Sequence, residues 1–418
     1  MNLLPLVDSA KQRIESVLEE IDRLKQSDFP YPHPREALGL LEAYFMERLS
    51  ALTKAEKGTA SPAAARACGA SLQDLVRCLP YLGFILRSTN VRNAFEGYSP
   101  LLRLACKVIG PGTRLVVSSE WEYSPYLIRG MEYLPGFVLI GLPASESSNP
   151  LLLPAAGHEL GHAFWQQHNM AQAYSDQIKS FVVKRVLGER WKDYVLCFPR
   201  SQKTDLTDDS LFAPTTLILT YSWALCQAEE IFCDVFGLRI FGQSFLHSLA
   251  YLIFPGSSDY RSPLYPTLST RVSYLKKASA EWGINVPEGF TPPSFASETV
   301  STPPTTMFLL SLADEATAHV APSLIALADK QVSERGISQV DRDSVLALCQ
   351  DFRVRLAPPT RRFSLPEICN AGWTCALEPN LWAKVKQLKP GDKNRVLKDL
   401  MWKSMEVSEV LERIERPL

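Results

Sequence analysis

Apolar residues near the start of the chain recur at threes and fours. Val7, Ile14, Val17, Leu18, Ile21 and Leu24 share one side of a 3.6-residue period, which predicts an amphipathic helix over residues 7–25. The run Phe29-Pro30-Tyr31-Pro32-His33-Pro34 stops it, because its prolines lack the amide donors that a helix needs. His33 in that turn reads as a structural residue. Helical spacing resumes over 37–54 and 71–86. After Pro111 the texture changes. Residues 114–118 and 137–142 are short runs rich in β-branched, aliphatic or aromatic residues and bounded by Pro or Gly, and they read as strands with a wide connection between them. Helical patterns return over 152–167, 175–187, 217–241 and 271–282.

Residues 284–306 are rich in Pro, Ser and Thr with little apolar periodicity, so they read as a linker. Beyond them, 307–335, 342–356 and 384–415 again look helical. The expected fold class is mainly α with a small β-sheet (α+β). The expected organisation is a helical N-terminal region (1–110), a mixed core (111–283), a linker (284–306) and a helical C-terminal domain (307–418).

Composition narrows the function. Hydrophobic residues make up 46% and charged residues 21% of 418, which rules out wholesale disorder. Lys+Arg 44 against Asp+Glu 45 leaves a net charge of −1, which argues against nucleic acid as the main partner. Nine scattered cysteines without CxxC spacing indicate buried thiols in a reducing compartment rather than a zinc ribbon or a redox pair. The start of the chain lacks a basic segment followed by an apolar core, and the longest apolar stretches fall well short of the roughly 20 residues a membrane span needs. The expectation is a cytoplasmic protein without stable membrane insertion.

The sharpest chemical feature is His158-Glu159-Leu160-Gly161-His162. Histidines at i and i+4 project from one helix face about a turn apart, so both imidazoles can reach one ion at roughly 2.0–2.1 Å. The intervening Glu159 is placed to take a proton from a metal-activated water. Gly161 lowers helix propensity by roughly 1 kcal/mol, a cost that a close approach to neighbouring backbone would justify. A zinc site open to water wants a third, distant ligand. Residues 228–238 offer Glu230 and Asp234 on one face of an otherwise apolar helix, with Glu229 about 100° away. Two carboxylates there are costly to bury unless paired or metal-bound. Glu230 as third ligand, with Asp234 on the free nitrogen of a ligand histidine, satisfies both. Cys226 and Cys233 nearby read as packing residues, and His168 as a surface residue.

HELGH followed downstream by ExxxD resembles the gluzincin zinc metallopeptidases of the thermolysin-like clan. EEIFCDVFGL is similar to the glutamate-helix pattern of the CAAX-prenyl endopeptidase and heat-shock membrane protease families. Tyr265-Pro266-Thr267-Leu268-Ser269-Thr270-Arg271 resembles their His-Pro-x-x-x-x-Arg segment. The likeness covers about residues 137–280. It implies a zincin-like core with Zn2+ held by His158, His162 and Glu230, and Glu159 as general base. It further implies that Asp234 orients His158 and that Arg271 braces the site or substrate. It also implies that strand 137–142 is an edge strand to which an extended peptide adds.

Two departures stand out. Those families are membrane-embedded and this chain has no span, so a membrane-buried substrate is not implied. Tyr265 stands where the family has histidine, so the donor to the oxyanion falls to Tyr265, Tyr260 or Arg271. The expected activity is hydrolysis of a narrow protein or peptide substrate, with the helical flanks available to a regulatory protein partner. The alternatives are a catalytically silent zinc-containing binding protein or scaffold, and a metal-free helical scaffold.

Overall fold

The computed structural model describes residues 4–56, 62–90, 94–128, 133–206, 215–254, 261–292, 303–358, 360–383, 385 and 388–415. Tyr260 and residues 293–302 of the expected linker lie outside them. The described chain is mainly helical with a three-stranded sheet, as the sequence pattern predicts. It divides into two units, Met1–Cys106 with Gly110–Ser148, and Lys107–Ile109 with Asn149–Leu418.

In the first unit, α1 (Leu4–Lys25), α2 (His33–Glu56) and α3 (Pro62–Arg87) share a core with the sheet. The face predicted for α1 is the buried one: Val7, Ile14, Ile21 and Leu24 are inside. The proline-rich break separates α1 from α2, and Pro34 falls in the first turn of α2, where a missing N–H costs nothing. Helix α4 (Ala94–Val108) leads into β1 (Arg114–Glu120). Strand β1 pairs in parallel with β3 (Phe137–Pro143), Arg114 opposite Phe137 and Glu120 opposite Pro143. The short β2 (Tyr126–Leu127) pairs antiparallel on the other side of β3, with Leu127 opposite Ile140.

Strand β3 is therefore the middle strand and not the expected edge. Its Phe-Val-Leu-Ile run is buried on both faces, which is how a central parallel strand reads. Side chains cover the outer side of β1. The Tyr31 hydroxyl donates to the Val117 carbonyl at 2.6 Å and accepts from the Val117 amide at 2.8 Å. Two residues along, His33 Nδ1 accepts from the Leu115 amide at 3.2 Å and the Tyr98 hydroxyl donates to the Leu115 carbonyl at 3.0 Å. These bonds replace the ladder a neighbouring strand would supply and blunt an otherwise adhesive edge.

The second unit is built around α8 (Thr215–Phe241). Ile231, Phe232, Val235, Phe236, Leu238 and Ile240 point in every direction around this helix and are all buried, so it runs through the middle of its unit. Around it lie α5 (Ala156–Gln167), α6 (Met170–Leu187), α7 (Trp191–Cys197), α9 (Gln243–Ile253) and α10 (Leu268–Trp282). The set is completed by α11 (Pro304–Glu334), α12 (Arg342–Arg353), α13 (Leu365–Ala376) and α14 (Pro390–Glu415).

The helices of 307–418 belong to this unit and not to a domain of their own. The physical reason is visible in α11. It buries Leu312, Ala316, Val320 and Leu324, and its Thr317 hydroxyl donates to the Ala224 carbonyl of α8 at 3.3 Å. Arg239 of α8 reaches Asp329 of α11 at 2.6 Å. A Pro/Ser/Thr-rich connection does not separate domains when the helix after it is needed to cover the core.

Candidate metal centre

The chemistry-bearing residues come together where α5 crosses α8. Three glycines bring the backbones into contact. A Cβ on Gly161 would stand 2.8 Å from the Cys233 Cα, one on Gly157 would stand 3.0 Å from the Gly237 Cα, and one on Gly237 would stand 3.1 Å from the His158 amide nitrogen. The sequence cost of Gly161 is thus explained by packing. The register also fixes direction: moving forward by four on α5 means moving back by four on α8, so the helices run antiparallel.

His158 and His162 lie on the α5 face towards α8, ring centroids 4.8 Å apart and planes at 83°. His158 Nε2 is 3.4 Å from Glu230 Oε2, and His162 Nε2 is 3.5 Å from Glu230 Oε1. On the far side of each ring, His158 Nδ1 is 3.0 Å from Asp234 Oδ1 and His162 Nδ1 is 2.7 Å from Glu229 Oε1. A carboxylate only accepts, so each Nδ1 carries the hydrogen and each Nε2 faces the centre. Donors about 2.0–2.1 Å from a tetrahedral zinc stand about 3.3 Å from one another. The observed 3.4 and 3.5 Å, one to each oxygen of Glu230, are close to that separation, so His158, His162 and Glu230 could hold a small divalent cation.

Arg271 of α10 lies behind this layer, its Nε and Nη2 each 2.7 Å from one oxygen of Asp234 and Nη2 3.8 Å from Glu230. A bidentate guanidinium fixes the carboxylate in direction as well as charge. Burial favours neutral Asp234, but Arg271 and His158 outweigh it and hold the carboxyl well below its usual range. At 1% exposure Asp234 is inaccessible, so Arg271 reaches the ring of His158 through it and is a positioning residue. Burial would lower the His158 pKa. The hydrogen bonds from Asp234 and Glu230 win, however, and raise it to about 10. Burial likewise opposes ionised Glu230, and His158, Arg271 and His162 overcome it and lower its pKa.

No family model, curated protein or solved structure matches this chain. The donor set stands on its own geometry.

A second donor set competes. His158, His162 and Cys233 each present a ligand atom within 4.8 Å of the others. The Cys233 thiol is held protonated, because burial and the carboxylates of Glu229, Glu230, Glu159 and Asp234 all push its pKa up. Glu230 is ionised and its oxygens lie within 3.5 Å of both Nε2 atoms. The ionised carboxylate of Glu230 is ready to bind a cation, whereas the Cys233 thiol would first have to lose its proton.

The structure thus gathers His158, His162, Glu230, Asp234 and Arg271 in one cluster, with the buried Glu159 on the turn between the two histidines. Tyr265 precedes α10 and is 49% exposed. Glu229 is the residue that sequence reasoning set aside. On an isolated α8 it points about 100° from Glu230, yet its longer side chain swings to His162. The available signal was the pair of histidines itself: each Nδ1 needs an acceptor, and antiparallel helices match the later histidine to the earlier carboxylate. His168, at the exposed end of α5, lies 4.2 Å from the Phe164 ring, tilted at 39°, and its Nε2 is 3.3 Å from Arg335 Nη2.

Proposed function

We propose that the chain is a zinc-dependent metallopeptidase acting on a protein or peptide substrate. The observation that carries this reading is the convergence of both Nε2 atoms on the two oxygens of Glu230, at 3.4 and 3.5 Å. His158, His162 and Glu230 would hold the ion. Bound there, zinc supplies Lewis acidity towards the scissile carbonyl and lowers the pKa of a water.

The protein does the rest. Asp234 and Glu229 keep the hydrogens of both imidazoles on Nδ1, so the Nε2 lone pairs face inward. Arg271 keeps Asp234 ionised and aligned. Glu159, on the helix turn between the histidines, takes the proton from water at a carboxylate oxygen and passes it to the leaving amine nitrogen. The test measures zinc content and peptidase activity of the wild type and Glu159→Gln. Zinc is expected in both, with activity lower by about 10²–10⁴-fold in the variant. A wild type without bound metal refutes the proposal, and activity indifferent to Glu159→Gln refutes the assigned base.

A second reading, a catalytically silent zinc-containing binding protein, is favoured by one observation. Glu159 is only 4% exposed, and closed sites are more typical of structural zinc. Zinc retained by a wild type that cleaves no peptide would select it.

A further inference from the structure

Cys349 of α12 and Cys375 of α13 meet across the seam between these two helices, and both are buried. They stand 26 positions apart in the chain, so no local spacing marks them as a pair. The Cys349 sulfur donates to the Ala371 carbonyl at 3.7 Å, and the Cys375 sulfur lies 4.0 Å from the Cys349 carbonyl oxygen. Ala371 is one turn before Cys375, and a helical side chain leans over the turn that precedes its own Cα. Both sulfurs therefore occupy the same stretch of the seam, where the two thiols hydrogen-bond to each other. A disulfide needs Cα atoms roughly 4.4–6.8 Å apart, and only closely approaching main chains let two such short side chains each touch the opposite backbone.

The end of the seam beside the pair is tied down. Arg353 Nε, one turn after Cys349, is 3.0 Å from Glu378 Oε2, and Trp382 Nε1 donates to the Phe352 and Arg353 carbonyls at 3.1 and 2.9 Å. Thiols held together in advance have a high effective concentration for each other, which favours ring closure over two separate mixed disulfides. The pair is also asymmetric. The hydrogen bond from Cys375, helped by the Arg353 guanidinium, lowers the Cys349 pKa against the effect of burial, whereas the same hydrogen bond and burial raise that of Cys375. The thiolate is the nucleophile in disulfide exchange, so Cys349 is the attacking member. Cys369, also on α13, has a different surrounding: its sulfur faces the Pro150 carbonyl at 3.9 Å, and burial raises its pKa.

We infer that Cys349 and Cys375 form a redox-active dithiol that closes to a disulfide and pins α12 to α13. With oxidised glutathione as the oxidant, Cys349 gives its proton to water, and its thiolate attacks one glutathione sulfur and expels the other glutathione as a thiolate. Cys375 passes its proton to that thiolate. The Cys375 sulfur then displaces the second glutathione from Cys349, and this leaving thiolate takes up the proton released at the start. Two protein thiols and one oxidised glutathione give one protein disulfide and two reduced glutathiones. Both sulfurs are buried, so exchange in the folded protein proceeds through opening of the seam and is slow, while the equilibrium is set by the closed geometry. Neither cysteine belongs to the candidate metal centre, so the inference stands or fails independently of the proposed peptidase activity.

The test equilibrates the full-length protein with glutathione buffers of graded oxidised fraction. One sample is kept folded, and a second is refolded from denaturant in the same buffers, where burial cannot block the reaction. Free thiols are then alkylated and disulfides mapped by peptide mass spectrometry. A Cys349–Cys375 cross-link, lighter by two hydrogens, is expected to be half-formed at about tenfold less oxidised glutathione than modification of any other cysteine needs. The cross-linked protein should melt at a higher temperature, and dithiothreitol should reverse the shift. Cys375→Ser should abolish the cross-link and the shift, and Cys369→Ser should leave both; if Cys375→Ser fails to fold, the wild-type map still decides. No Cys349–Cys375 cross-link in either sample overturns the inference, as do cross-links shared evenly among several cysteine pairs. Glutathione retained on Cys349 beside a free Cys375 thiol also overturns it, since the two sulfurs would then be out of reach. A cross-linked protein whose melting temperature does not move overturns the pinning of α12 to α13.

Discussion

His33 in the first unit and His158 in the second are both held through their ring nitrogens, yet they are held in opposite ways. The Nδ1 of His33 accepts from a backbone amide, and burial lowers its pKa. It is a neutral pin that docks a turn onto β1. The Nδ1 of His158 donates to an ionised carboxylate and its Nε2 faces another, so its pKa rises to about 10 despite deeper burial. Burial alone does not separate a structural histidine from one proposed as a metal ligand. The sign of the charge at each ring nitrogen does.

The largest effect that would break this contrast comes from the ligand set. Glu230→Ala should cause near-complete loss of bound zinc, and Cys233→Ala should retain it, measured as metal per chain by mass spectrometry. The opposite result would move the third ligand to the thiol. Next, Gly161→Val should force α5 from α8. A destabilisation of about 3 kcal/mol is expected by chemical denaturation, together with weakened metal binding, because the added atoms have no space against the Cys233 backbone. A variant of wild-type stability would show that the helices part freely.

A pH titration sharpens the comparison further. In metal-stripped protein the His158 pKa is raised from about 6.5 in the unfolded chain to about 10 in the folded one. Its contribution to stability is therefore complete below pH 6.5 and lost as pH climbs through 10. Zinc-loaded protein should lack that decline, since the ion occupies the place of the Nε2 proton. Identical melting profiles of the two forms between pH 7 and 10 would contradict this. The smallest effect belongs to the other histidine. His33→Ala removes the acceptor for the Leu115 amide and should cost about 1 kcal/mol without changing zinc content.

Much of this was legible in the chain. The α1 stripe, the helical break at the prolines and the span of α8 follow from apolar spacing alone. The pairing of HELGH with Glu230 and Asp234 follows from the expense of burying carboxylates. Glu229 was not legible because helical-wheel angles describe one helix, and its partner sits on another. Strand β2 is two residues long, too short to show alternation, and without it β3 passes for an edge. The placement of α11 was missed because its Pro/Ser/Thr-rich approach resembles a domain boundary. Only its buried face shows that α8 needs it.

The contact between α5 and α8 has a further consequence. With no Cβ on Gly161 against the Cys233 backbone or on Gly157 against Gly237, the gap between the two helices acts as a gauge for the spacing of the imidazole nitrogens from Glu230. A calcium ion, with oxygen ligands at 2.3–2.6 Å and six to eight of them, would require the helices to separate. Touching backbones limit closer approach and the packing lost on parting opposes separation, so at the proposed metal site the choice among cations would be set by main-chain geometry before any donor atom is considered.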